Sequence, residues 1–159
     1  MQRAASCGHR AWAELGRHSV SESAMRGKVV KALKGLDGFA VENPCLPGTP
    51  DLNYIDGWIE LKWLPRWPVH ERSKVAVPHF TPQQRLFLRE RWRKGGAVFL
   101  LLQVRAEWLL FTGPVAAEHL GHVNRRELMS VCCSAWRTQV NMKRELGAAL
   151  RRHAPHPDT

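Results

Sequence analysis

Apolar and polar positions along the chain switch between two periods. Met25, Val29 and Leu33 recur every four residues, the spacing of one helix face, and Ser19-x-x-Glu22 ahead of them has the form of a capping box. Gly35 and Gly38 are expected to end that helix. Residues 39–42 read as a short strand, and Pro44, Pro47, Gly48 and Pro50 make 43–50 a loop. Two strand candidates follow, 51–55 and 58–63, with Asp56-Gly57 between them as a hairpin turn signal. Residues 64–80 are irregular and carry Pro65, Pro68 and Pro78. Thr81 then caps a helix with Pro82 at its first position; it runs to about Lys94 and stops at Gly95-Gly96. Ala97 to Val104 is a continuous apolar run, expected as a strand buried on both faces, and 108–111 is a further strand candidate. The remainder, about 114–151, reads as helical and ends in a basic tail. Within it Trp136, Val140 and Leu146 stand at near-helical spacing and are expected in the core or on a dimer surface. This order predicts a mixed α/β domain on a central sheet. An N-terminal arm (1–18), a core (19–112) and a C-terminal helical extension (113–159) are the expected divisions.

Composition narrows the class. At 159 residues the chain is long enough for one compact domain with a real core, and 44% hydrophobic with 24% charged residues is ordinary for a globular protein. No apolar run reaches the length of a membrane span, and residues 1–18 lack the continuous apolar stretch of a signal peptide; a cytosolic location is expected. The cysteines, Cys7, Cys45, Cys132 and Cys133, include no C-x-x-C pair, so neither a zinc site nor a disulfide framework is expected. Cys132 and Cys133 are expected to diverge on a helix. Charge changes the picture more: 24 Lys and Arg against 14 Asp and Glu give +10, a balance that suits a polyanionic partner such as nucleic acid.

The chemistry concentrates in the hairpin. Side chains alternate along a strand, so Glu60 and Lys62 share one face while Leu61 takes the other. A tight turn brings Asp51 nearly opposite Glu60. Two carboxylates that close repel unless a cation lies between them. Hard Mg²⁺ prefers carboxylate, carbonyl and water oxygens, and can stabilise charge on a phosphodiester oxygen and acidify a bound water. Lys62 beside it can orient or deprotonate that water, or stabilise developing charge. The bland alternative is a surface hairpin with an ordinary Glu–Lys pair. Against it, Tyr54, Ile55, Trp58, Ile59, Leu61 and Trp63 point to a mostly buried hairpin, where charges need a reason.

Gly48-Thr49-Pro50-Asp51, an eight-residue gap and Glu60-x-Lys62 resemble the signature of the PD-(D/E)xK nucleases. Ser21-Glu22-Ser23 looks like the acidic helix position of that superfamily. Phe80-Thr81-Pro82-Gln83-Gln84, then Arg85-Leu86-Phe87-Leu88 and Gly95-Gly96, looks like the segment after the core motif in the VRR-NUC branch, which is related to Holliday-junction resolvases. The resemblance covers roughly residues 19–104. It implies a restriction-endonuclease-like core and a divalent-metal-dependent phosphodiesterase acting on DNA, with branched DNA among the expected substrates as in the resolvases, in a family whose members often form homodimers. It implies Asp51, Glu60, Glu22 and the main chain of Leu61 as ligands of Mg²⁺, with Mn²⁺ able to substitute, and Lys62 and Gln84 as further catalytic positions. Helix register favours Glu22, which shares a face with Met25, Val29 and Leu33; the alternatives are a capping role and Glu42 as the extra carboxylate. Register also favours Gln84 over the adjacent Gln83.

For the substrate, residues 63–79 follow directly from the site lysine. Basic side chains there can neutralise phosphates and aromatic rings can stack on unpaired bases; Arg66, Trp67, Arg72, Lys74 and, on the next helix, Arg85 are the candidate DNA contacts. No Gly-rich phosphate loop is present. Two other functions compete: a basic DNA-binding or regulatory protein on a nuclease fold with weak or lost catalysis, and an RNase on the same scaffold.

Overall fold

The computed structural model describes residues 20–156. The arm at 1–18, the cap residue Ser19 and Cys7 lie outside the described residues. Helix α1 (Val20–Ala32) ends earlier than the two glycines suggested, because the chain tightens into a 3₁₀ turn at Lys34–Leu36 and leaves through Asp37 in the left-handed region.

Strands β1 (Phe39–Ala40), β2 (Leu52–Tyr54), β3 (Gly57–Leu64), β4 (Ala97–Val104), β5 (Glu107–Thr112) and β6 (Ser134–Trp136) form a single mixed sheet in sequential order. Each neighbouring pair is antiparallel except β3 and β4. That pair is parallel because helix α2 (Pro82–Arg93) crosses between them. Helices α3 (Gly113–His119), α4 (Arg125–Val131) and α5 (Gln139–His153) complete the α/β fold.

Two cores sandwich the sheet. On one face Ile59, Leu61, Phe99, Leu101, Trp108 and Leu110 pack under α1 and α5. On the other, Leu64, Val98, Leu100, Leu102, Leu109 and Phe111 pack under α2, α3 and α4. Every residue of β4 is buried, as its uninterrupted apolar run predicts for a central strand. Alternation therefore sends Glu60 and Lys62 of β3 to the α2 face and Leu61 to the α1 face.

The hairpin turn sits one residue earlier than expected. Tyr54 pairs with Gly57, so Ile55 and Asp56 make the turn and Gly57 begins β3. Gly57 belongs in the strand because a Cβ there would press on the Ala97 carbonyl oxygen of β4. Gly95, by contrast, ends α2 in the left-handed conformation (φ 82°) that glycine adopts freely.

The C-terminal segment is not an appendage. Trp136 belongs to β6 at the sheet edge, and Met142, Leu146, Ala149 and Leu150 of α5 complete the α1-side core. Trp136 and Leu146 are in the core and Val140 is exposed, and Trp136 lies in a strand rather than in the helix whose spacing it fits. Cys132 and Cys133 stand at the junction of α4 and β6 rather than within a helix; with Cys45 they are free thiols. Among the described residues no helix is long and apolar enough to cross a membrane.

Candidate active site at the end of the hairpin

The β2–β3 ladder closes at Leu52 and Ile59, and the charge of Asp51, the residue before Leu52, acts on Glu60, the residue after Ile59. Where β2 gives out, the Leu61 N–H donates to Asp51 Oδ2 at 2.8 Å in place of a strand partner. This bond fixes the carboxylate of Asp51. The Leu61 carbonyl faces the same edge, since a strand residue turns its N–H and C=O to one side.

Glu60 and Lys62 are 1% and 5% exposed, so the surface-hairpin alternative does not apply. Lys62 Nζ lies 2.7 Å from Glu60 Oε1 and donates to the His79 carbonyl at 3.3 Å. His79 is left-handed (φ 61°), an uncommon conformation for a residue with a side chain, and it is the residue that offers its carbonyl to Lys62. Gln84 Nε2 donates to the same Glu60 oxygen at 2.6 Å. Its amide oxygen accepts from the Thr81 N–H, while Thr81 Oγ1 accepts from the Gln84 N–H. A complete capping box thus aims Gln84 at the site. Gln83 is exposed on the far side of that first turn.

Glu22 and Glu42 are both nearby but differ in kind. Glu22 acts on Glu60 through its charge, whereas Glu42 is exposed and pairs with Arg26 at 3.3 Å. Arg26 also reaches Asp51 Oδ1 at 3.3 Å. Sequence reading missed Arg26; its signal is a position one helical turn after Glu22.

Glu60 is held well above the usual carboxylate range, at about 8, first by burial and then by the charge of Asp51, with Lys62 pulling the other way. A buried carboxylate with acidic neighbours, opposed by one ammonium, is a place where added positive charge is favourable. The oxygens at hand are those of Asp51, Glu60 and the Leu61 carbonyl, with Glu22 acting on Glu60 through its charge. Among the described residues no group of three or more His, Cys, Asp or Glu side chains is gathered around one point. Mg²⁺ needs fewer, being commonly held by one or two carboxylates with waters completing its shell. The residues present fit such an ion.

The candidate DNA contacts separate. Arg66, Arg72 and Lys74 are exposed on the 65–80 loop. Arg85 is not available as expected: its guanidinium donates to the Ala117 and Leu120 carbonyls, each at 2.7 Å, and lies over the Phe80 ring at 4.1 Å. Trp67 is also engaged, its indole N–H donating to Glu107 and its ring covered by Arg125 at 4.9 Å. Arg125 in turn donates to Glu107 at 3.0 Å. With the Val75 N–H donating to the Val123 carbonyl, this clasp pins the loop to the α3–α4 connection.

Comparison with family models, curated proteins and solved structures finds no match. The functional reading therefore rests on the geometry.

Proposed function

We propose that the chain is a Mg²⁺-dependent endodeoxyribonuclease of the PD-(D/E)xK kind, akin to the VRR-NUC and Holliday-junction-resolvase branch. One observation carries the reading: Lys62 and Gln84 converge on a single Glu60 oxygen, next to the charge of Asp51, whose carboxylate accepts from the Leu61 N–H. Asp51, Glu60 and the Leu61 carbonyl would hold the ion, with Glu22 adding charge. Once bound, that ion would supply positive charge to the phosphodiester oxygens and acidify water. Lys62, held between Glu60 and the His79 carbonyl, orients the attacking water and donates to the developing charge. Gln84 keeps the Glu60 carboxylate in position. Arg66, Arg72 and Lys74 on the pinned loop neutralise backbone phosphates beside the site.

A panel of duplex, single-stranded, flap and four-way-junction DNA, with matched RNA, tests this with and without Mg²⁺ or Mn²⁺. Metal-dependent cleavage of DNA is expected, abolished in Asp51→Asn and Glu60→Gln while DNA binding survives. Full activity in either variant would sink the proposal, and preferential cleavage of the matched RNA would make the chain an RNase. A second reading, a DNA-binding protein without catalysis, draws on one feature: Asp51 and Glu60 each already contact a protein cation. Calorimetric titration separates the two, since that reading requires no Mg²⁺ or Mn²⁺ binding.

A further inference from the structure

Each of the two central carboxylates has its own cation, and the two arrangements differ. Lys62 is buried against Glu60 at 2.7 Å. Arg26 is shared: Nη2 lies 3.3 Å from Asp51 Oδ1 and Nη1 lies 3.3 Å from Glu42 Oε1. A guanidinium gripping one carboxylate with both nitrogens makes the stronger bond. Here the fork is split, at long distance, between two carboxylates on different segments. Asp51 does not need Arg26 for its orientation, because the Leu61 N–H already fixes its other oxygen at 2.8 Å. What Arg26 gives Asp51 is charge. The side chain is 28% exposed, and the Glu42 side chain is 85% exposed, so the pair they form can move outward into solvent.

We propose that Arg26 is the resident counter-cation of Asp51, withdrawn onto Glu42 when a divalent cation takes its place. This rests on the metal-dependent reading above and adds a positioning residue to it. A guanidinium on Asp51 Oδ1 and a dication bound to the same carboxylate repel each other, so Arg26 lowers the site's affinity for the ion. Glu42 limits that cost by offering the displaced guanidinium a partner. Without the ion, Arg26 offsets the charge that Asp51 places beside Glu60.

The test is calorimetric titration of the full chain with Mg²⁺ and Mn²⁺, alongside thermal melts in chelator. Arg26→Gln is expected to bind the ion about 3- to 10-fold tighter, the scale of one charge removed several ångströms from a dication at the protein surface. Its metal-free melting temperature falls, and saturating metal restores it. Arg26→Lys lies between wild type and Arg26→Gln. Glu42→Gln weakens binding by about 2-fold or more, and this effect disappears in the Arg26→Gln background, because Glu42 acts through Arg26. A charge acting only at long range would weaken binding equally in both backgrounds. Unchanged or weaker binding in Arg26→Gln, or a Glu42→Gln effect that persists without Arg26, overturns the inference. If wild type binds metal and cleaves DNA in those cases, the nuclease reading stands. Absence of metal binding in every variant overturns both.

Discussion

At the scale of single residues the site is governed by burial. Glu60 titrates near 8 rather than near 4.5, so the folded chain keeps a proton that the unfolded chain releases. In the metal-free protein this contributes stability that is fully present below about 4.5 and is lost as pH rises toward about 8. Urea melts in chelator across that window are expected to show the decline in wild type and a flatter profile in Glu60→Gln; an unchanged decline would move the effect to another group. Arg85 gives a second expectation. Its two bonds to the Ala117 and Leu120 carbonyls tie α2 to the end of α3. Arg85→Ala should therefore cost about 1.5–3 kcal/mol of stability, with little change in the salt dependence of DNA binding; a large change in that dependence would return Arg85 to the DNA surface. Glu60 and Lys62 were legible in the sequence as one face because strand alternation fixes it, whereas the partner of Asp51 depended on the turn, which at Asp56-Gly57 would have set Asp51 opposite Lys62. Arg26 and the tether of Arg85 were not legible. Both depend on how helices dock against distant segments; the one-turn spacing of Arg26 from Glu22 marks a helix face but not the carboxylates that face meets.

At the scale of elements, what places the site is a strand end and a helix start. The Thr81 cap connects local helix chemistry to Glu60, since the same Gln84 side chain completes the capping box and reaches the carboxylate. Thr81→Ala is expected to destabilise by about 1 kcal/mol and to lower cleavage several-fold, with Thr81→Ser near wild type in both. Loss of stability with unchanged turnover would separate the cap from the site. The cap was readable in advance because Thr-Pro at a helix start has a local cause. β6 was not, because three residues at a sheet edge carry too little pattern, and Trp136 happened to fit the period of the helix after it. The hairpin turn failed by one residue for a related reason. Asp-Gly favours a turn on its own, but Gly57 is needed in β3, where the Ala97 carbonyl leaves no room for a Cβ.

At the scale of the molecule, the sheet divides support from contact. The α1-side core draws on Trp136, Met142, Leu146 and Leu150 from the C-terminal segment, so a chain stopped after residue 131 is expected to lose cooperative unfolding even though every site residue remains. The other side carries the pinned loop and its exposed cations. Trp67, Glu107 and Arg125 hold one another, which leaves Arg66, Arg72 and Lys74 as the exposed cations on a loop with a fixed path. Cations on a fixed loop contact phosphates at defined positions, and each phosphate neutralised releases counterions. Replacing all three by Ala should then reduce the slope of log affinity against log salt by about 3 on duplex DNA. The loss should be the same for unrelated sequences, because phosphate contacts carry no base information. Glu107→Gln tests the clasp itself: the three cations remain, but hydrogen exchange in 65–80 should quicken and affinity should fall. Binding measured from 50 to 200 mM salt distinguishes the cases, and a triple variant with an unaltered slope would put the DNA on a different face of the protein.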